Sequence, residues 1–103
     1  MTESEYTHLA DATLNRLEAA LDAAEIDYER AAGGVLEIEF ENGSVIVVNK
    51  QAAAQEIWVA AKSGGFHYRW DAAAWRDTRG GEELFAALAR LASAQAGDRV
   101  ELS

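Results

Sequence analysis

The sequence has 103 residues, half of them hydrophobic, which is enough for one domain with one packed core. It contains no cysteine, and this excludes disulfides, thiolate metal sites, cysteine-ligated iron–sulfur clusters and a cysteine nucleophile. There are 18 acidic and 9 basic residues, for a net charge of −9. Residues 1–41 hold eleven acidic and two basic residues, whereas residues 42–103 are balanced. This asymmetry favours a cation or a basic protein as partner and argues against nucleic acid.

The sequence shows no membrane or targeting signal. No apolar run approaches the roughly 20 residues of a membrane span. The beginning, MTESEYTHLAD, is acidic and polar, and it lacks both the basic start of a secretory signal and the arginine and serine of a transit peptide. We therefore expect a cytoplasmic protein with no membrane partner.

The first predicted element is a helix over residues 4–24. Thr2 and Ser4 are both candidate N-caps, and Thr2 with Glu5 has the spacing of a capping box. The buried stripe is predicted to comprise Tyr6, Leu9, Ala10, Thr13, Leu14, Leu17, Leu21 and Ala24. Another flank carries carboxylates at steps of seven, four and three, with no lysine four residues on to neutralise them. We call this set the acidic ridge: Asp11, Glu18, Asp22 and Glu25. Most acidic helix faces are simply solvated, but the charge asymmetry favours a functional ridge here.

A short strand over residues 26–31 and a hairpin over residues 35–50 follow the first helix. Gly33-Gly34 connects them, and the first hairpin strand alternates an apolar face with an acidic face that carries Glu37, Glu39 and Glu41. Asn42-Gly43 predicts a two-residue type I′ turn, which needs a positive φ at both residues. The return strand is apolar on both faces, as in a central strand.

The next strand, residues 56–62, places Ile57, Val59 and Ala61 towards the core and Glu56, Trp58 and Ala60 on the other face. Tryptophan is enriched at binding hot spots, so Trp58 is a candidate contact residue, although single exposed apolar residues are also common. Gly64-Gly65 predicts another turn. The strand after it is expected to bury Phe66, Tyr68 and Trp70, with His67 and Arg69 beside Trp58.

A sixth short strand is predicted to begin at Trp75, and a second helix over residues 81–95 ends at Gly97. Tight turns make the sheet antiparallel, and two amphipathic helices have to cover one of its faces. The predicted fold is therefore α+β. It is a two-layer α-β sandwich with an antiparallel sheet of about six strands, covered on one face by the N- and C-terminal helices, in a single domain over residues 1–103.

The residues support little catalytic chemistry. No G-x-S-x-G context surrounds a serine, no glycine-rich phosphate loop opens a helix, and His8 and His67 stand alone without metal-binding spacing. Clustered carboxylates nonetheless suit hard cations such as iron, manganese, magnesium or calcium. A metal site here is expected to be shallow, wet, weak and driven by charge.

Several segments resemble the signature of the frataxin family. Asn49-Lys50-Gln51, the run from Gln55 to Val59 with Trp58, and the run from Gly64 to Tyr68 carry the resemblance. Phe40 to Ser44 and the beginning Ser4-Glu5-Tyr6 are similar to the bacterial branch of that family. The resemblance extends over nearly the whole chain in the same order of elements, and it implies the two-layer fold reached above.

The resemblance also implies a function. It indicates a non-enzymatic, iron-binding regulator or adaptor of iron–sulfur cluster assembly in the bacterial cytoplasm, which docks on a cysteine desulfurase and its scaffold protein. Iron, as Fe²⁺ or Fe³⁺, and other divalent cations would bind weakly. The protein is expected to be a monomer that iron can drive into oligomers.

The family's functional positions map onto this chain in two sets. Metal binding is assigned to Glu3, Asp11, Glu18, Asp22, Glu25, Asp27 and Glu29. Partner binding is assigned to Asn49, Gln51 and Trp58, with Glu18 and Asp22 expected to meet a basic patch on the desulfurase. Relatives often carry doubled acids where this chain has Ala19 and Ala23, so a lower iron capacity is expected.

Three alternatives stay open at this point. The ridge could oxidise Fe²⁺ or store iron through oligomers, although the sequence has no paired His and Glu ligands for it. The chain could act as an acidic decoy for a nucleic-acid-binding protein. Haem could bind through His8 or His67, but no motif supports it.

Overall fold

The chain runs helix, six strands, helix in the computed structural model, which describes residues 1–103. The elements are α1 Glu3–Ala23, β1 Asp27–Ala31, β2 Val35–Glu39, β3 Val45–Gln51, β4 Glu56–Ala61, β5 Gly64–Trp70, β6 Trp75–Asp77 and α2 Leu84–Ala96. Each strand pairs antiparallel with the next, and the sheet order is β1-β2-β3-β4-β5-β6. The predicted α+β sandwich is confirmed, and the strand bounds agree with the sequence patterns to within about two residues. The predicted turn at Gly64-Gly65 is wrong, because both glycines pair with Ala61 and Ala60 inside β5 and the turn falls at Lys62-Ser63.

One core of 21 buried residues joins the two layers. The inward side of the sheet contributes mainly Leu36, Ile38, Ile46, Val48, Ile57, Val59 and Tyr68, and α1 contributes Tyr6, Ala10, Leu14, Leu17 and Leu21. Side chains alternate between the two faces of a strand, so the remaining strand residues form an open face that no helix covers. Phe66 and Trp70, predicted to be core, are only partly buried.

The first helix begins where its sequence predicts. The Glu5 N–H donates to Thr2 Oγ1 at 3.1 Å, and the Thr2 N–H donates to Glu5 Oε1 at 2.9 Å, which completes the capping box. The second helix begins at Leu84, three residues later than predicted, because Glu83 is the N-cap and accepts from the Phe85 and Ala86 N–H groups. Gly97, with φ +73°, ends that helix as predicted.

The predicted type I′ turn at Asn42-Gly43 is wrong. Only Gly43 has a positive φ, and the Gly43 N–H donates to the Phe40 carbonyl, which makes Glu41 and Asn42 the central turn residues. This is the three-residue form of hairpin, a tight turn followed by a left-handed glycine. The Asn42 side chain fixes it, since its Oδ1 accepts from the Ser44 N–H and its Nδ2 donates to the Gln95 carbonyl at 2.6 Å.

The sixth strand and the tail close the core. Trp75 is 3% exposed, and its Nε1 donates to Thr13 Oγ1 on α1 at 2.8 Å. Leu102 is buried in the tail, and the Val100 N–H donates to Ser93 Oγ. Of the two helices, neither combines the length and the apolar character needed to cross a membrane.

Candidate functional site

The acidic residues predicted on α1 extend along the whole helix and do not converge on one point. Glu3 lies in the first turn, about 28 Å along the axis from Asp22 at the rise of an α-helix. Glu18 and Asp22 are one turn apart, and Glu25 follows the C-cap with a φ of +58°. A single ion cannot span Glu3 and Asp22, so the assigned ligands belong to separate parts of the surface.

Basic side chains from the sheet neutralise two of the ridge carboxylates. Lys50 Nζ donates to Asp11 Oδ1 at 2.5 Å, and Arg30 Nη1 donates to Glu18 Oε2 at 3.2 Å. Arg30 Nη1 also donates to Asn15 Oδ1 at 2.7 Å. Neither counter-ion lies on α1 itself, because Arg30 belongs to β1 and Lys50 to β3.

Asp22 forms no salt bridge and faces Tyr28 of β1. The pKa of Tyr28 is raised, first by the neighbouring Asp22 carboxylate, then by burial and by the charge of Glu18. Tyr28 and Arg30 alternate with Asp27 and Glu29 along the strand, so they lie on the α1 side of β1. Asp22 and Glu18 therefore flank one side of this strand.

The other side of β1 carries a second acidic surface. In the register of β1 and β2, Asp27 lies opposite Glu39, and Glu29 lies opposite Glu37. All four side chains are exposed, and none of them forms a salt bridge. Like charges directly across two strands destabilise the pair. We call these four carboxylates the strand patch.

Both acidic surfaces adjoin β1, which is an edge strand of the sheet. They meet at its Asp27 end, beside an open cleft of about 1080 Å³ whose lining includes Glu25, Asp27, Glu39 and Glu41. Ridge and strand patch thus form one acidic surface that wraps around the edge of the sheet. Apart from Arg30, no basic side chain forms a salt bridge with Glu18, Asp22 or the strand patch.

The assigned metal residues do not form a ready-made site. No three histidine, aspartate or glutamate side chains lie close enough together to hold a metal ion. What the fold supplies is adjacent pairs, such as Glu18 with Asp22 and Asp27 with Glu39. Hard cations take about six or more oxygen ligands, so an ion on one of these pairs would complete its shell with water. The metal assignment stays a prediction.

The assigned partner-binding residues come together on the open face. Trp58 of β4 faces out as predicted, with Asn49 opposite on β3 and His67 opposite on β5. The indole and imidazole rings stack, with centroids 4.2 Å apart and planes 8° apart. Gln51 lies next to them, opposite Glu56. We call Asn49, Gln51, Trp58 and His67 the docking platform.

Glu56 is the exception on this face, because it is only 5% exposed. Its carboxylate accepts from Trp58 Nε1 at 2.9 Å and from Arg69 Nη2 at 2.6 Å, and His67 Nδ1 lies 3.8 Å from Oε1. The pKa of Glu56 is lowered, first by the hydrogen bond from Trp58 and also by Arg69, although burial acts in the opposite direction.

Glu37, Glu39 and Glu56 have no site role predicted from the sequence, and His67 has only the haem alternative, which no motif supports. The alternation in the hairpin did place Glu37 and Glu39 on the open face, but their opposition to β1 depends on the register across Gly33-Gly34. The sequence signal for Glu56 and His67 is their position next to Trp58 on the same face of the predicted strands.

Comparison with known proteins identifies the fold and its relatives. A family model described as a frataxin-like domain matches residues 1–98. The iron–sulfur cluster assembly protein CyaY of Dechloromonas aromatica is 55% identical over 104 residues, which covers 99% of each chain. The protein of the same name from Paraburkholderia phymatum is 51% identical and covers 100% of this chain and 99% of its own.

A solved structure agrees with these matches. The frataxin from Psychromonas ingrahamii, of the CyaY protein family, superposes with a TM-score of 0.91 at 28% sequence identity. The superposition covers 100% of this chain and 99% of that one. The similarity therefore includes both helices and the whole sheet.

Proposed function

Because the chain belongs to the frataxin-like family, we propose that it is a non-enzymatic adaptor and regulator of iron–sulfur cluster assembly. In this proposal it binds iron weakly through surface carboxylates, accepts other divalent cations, and docks on a cysteine desulfurase and its scaffold protein. It works in the bacterial cytoplasm as a monomer, and an excess of iron drives it into oligomers. The name of the relatives supports a role in iron–sulfur cluster assembly. The charged and aromatic surfaces of this chain support the binding of iron and of protein partners.

The strand patch is the observation that carries the proposal. Two like-charge pairs, Asp27 with Glu39 and Glu29 with Glu37, lie side by side, and none of the four carboxylates forms a salt bridge with a basic side chain. The free protein bears the cost of this repulsion. A cation or a basic side chain placed between the carboxylates would relieve the repulsion and gain attraction, so the patch favours positively charged ligands over neutral ones.

The acidic ridge adds a second surface on the other side of β1 that also favours positively charged ligands. Asp22 has no counter-ion, and Glu18 is shared with a partly exposed Arg30. A basic patch on a desulfurase would meet carboxylates on both sides of the edge strand. Such a contact accelerates association and weakens steeply as the salt concentration rises.

The docking platform supplies a contact of different chemistry on the open face that it shares with the strand patch. It offers a partly buried indole stacked on a half-exposed imidazole, with two amide side chains beside them. β1 and β4 are three strand spacings apart, about 14 Å. We assign the acidic surface to the desulfurase and to iron, and the platform to the scaffold protein.

Nuclear magnetic resonance titration of the ¹⁵N-labelled protein tests this assignment. Anaerobic Fe²⁺ and the desulfurase should each perturb amides near Glu18, Asp22 and the strand patch, whereas the scaffold protein should perturb those near Trp58. Perturbations by iron or the desulfurase confined to α2 would overturn the proposal. Oxidation of Fe²⁺ faster than in a matched carboxylate buffer would instead favour the ferroxidase alternative.

A further inference from the structure

We propose that Glu56 is a positioning residue, which holds Trp58 and His67 in their stacked arrangement before any partner arrives. The inference rests on the proposed function in one respect only, namely that the docking platform meets a partner. The positioning itself is a property of the free protein and can be measured without one.

The argument begins with the placement of four side chains. Glu56 and Trp58 lie two residues apart on the open face of β4, and Arg69 and His67 lie opposite them on β5. The four therefore occupy a two-by-two block. The Glu56 carboxylate bonds to Trp58 and Arg69 and lies 3.8 Å from His67, so a single side chain contacts the other three.

The burial of Glu56 indicates how strongly the block is held together. An ionised carboxylate that is removed from water needs hydrogen bonds to replace its hydration. Glu56 gets them from the indole N–H and from the Arg69 guanidinium, although the Arg69 side chain is itself 66% exposed. Tilting the indole away would leave the carboxylate short of a donor, which penalises other orientations of Trp58.

The backbone of Glu56 is fixed from the opposite side of the sheet. The buried hydroxyl of Tyr6 on α1 donates to the Glu56 carbonyl at 2.7 Å. The backbone that carries the Glu56 carboxylate is therefore anchored to the core. Stacking alone would let the indole and imidazole rings slide over each other. Fixing both rings in advance lowers the ordering cost of binding.

The same hydrogen bond determines what the platform offers a partner. Glu56 uses the indole N–H, so Trp58 presents ring surface instead of a donor. The scaffold contact is then expected to be an apolar or aromatic side chain that lies on the rings, and not a hydrogen-bond acceptor aimed at the indole.

The test compares Glu56→Leu and Glu56→Gln with the control Glu37→Leu, an exposed glutamate on the same face. The readouts in the free protein are the solvent exchange of the Trp58 indole N–H and the nuclear Overhauser effect between the Trp58 and His67 rings. Glu56→Leu should speed exchange about tenfold and weaken the ring contact. Glu56→Gln keeps an acceptor oxygen and should stay within about threefold, and the control should not change.

Unchanged exchange and an unchanged ring contact in Glu56→Leu would overturn the proposal. If Glu56→Leu does not fold, Glu56→Thr replaces it in the test. Threonine also lacks the carboxylate, and it is a residue type that favours strands. Affinity for the scaffold–desulfurase complex is measured separately. If the rings loosen but neither Glu56→Leu nor Trp58→Ala weakens that affinity, positioning is upheld and the proposed docking role of the platform falls.

Discussion

Glu29 and Glu37 lie directly opposite each other on neighbouring antiparallel strands, and neither forms a salt bridge. The pair Asp27 and Glu39 repeats the arrangement two residues along. The edge of the sheet therefore concentrates charge where a strand pair would be more stable with opposite charges or neutral side chains. The repulsion gives the free protein a local cost that a cationic ligand can remove.

Replacing one member of this pair should stabilise the fold. We expect Glu37→Lys to raise the free energy of unfolding by about 0.2–1 kcal/mol, because it exchanges a repulsion for an attraction to Glu29. Glu37→Gln removes only the repulsion and should give a smaller gain. Urea denaturation at low salt measures both changes. A destabilised Glu37→Lys protein would show that the pair is not under electrostatic stress.

The ion pair of Arg30 with Glu18 should compete with external cations. Arg30→Gln is expected to change stability by less than about 1 kcal/mol, because both side chains are partly exposed and such pairs contribute little. It should strengthen binding of Fe²⁺ and of the desulfurase, since it frees Glu18 and removes a positive charge. Isothermal titration calorimetry on the wild type and the variant tests this. Weaker binding by the variant would count against competition.

Glu56 should make stability depend on pH in acid. Its folded-state pKa lies below the ordinary glutamate value of 4.5 because Trp58 and Arg69 stabilise the ionised form. The stabilisation is therefore complete above about pH 4.5 and is lost as the pH falls through the lower folded-state pKa. The difference in unfolding free energy between wild type and Glu56→Gln should shrink over that range. A constant difference from pH 6 to pH 2 would contradict the assignment.

Gln95 should matter for stability and not for binding. Its Oε1 accepts from the Lys62 N–H at 2.8 Å, and its Nε2 donates to Ser44 Oγ and to the Val45 carbonyl, both at 3.1 Å. Gln95→Leu should cost about 1–3 kcal/mol through unsatisfied polar groups. Iron and desulfurase affinities, measured well below the melting temperature, should stay the same. If Gln95→Leu weakened the binding of iron or the desulfurase, the prediction would be wrong and the binding surface would include α2.

Local patterns explain what the sequence could predict. The Thr2 and Glu5 capping box, the inward side of each central strand and the outward position of Trp58 depend on neighbours within a few residues. The same patterns placed Glu18 and Asp22 on one flank of the first helix. Alternation and helical spacing are local properties, and here the packing did not override them.

Contacts between distant parts of the chain explain what it could not predict. Lys50 and Asp11 are 39 residues apart, and Arg30 and Glu18 are 12 apart, so no spacing rule connects them. The burial of Glu56 depends on side chains of β5 that fold over it. The Asn42 turn took another form because its side chain bonds to Ser44 and to Gln95 on the second helix.

The central claim is that the acidic surface around β1 binds a basic protein partner. The most direct test is the affinity of the desulfurase for Glu18→Lys/Asp22→Lys. The control is Asp77→Lys/Glu82→Lys, which makes the same change in net charge at β6, the opposite edge of the sheet. We predict that the ridge variant binds at least about tenfold more weakly, that its salt dependence is shallower, and that the control stays near the wild type. Equal affinities for the wild type and the ridge variant, or equal losses in the two variants, would contradict the account.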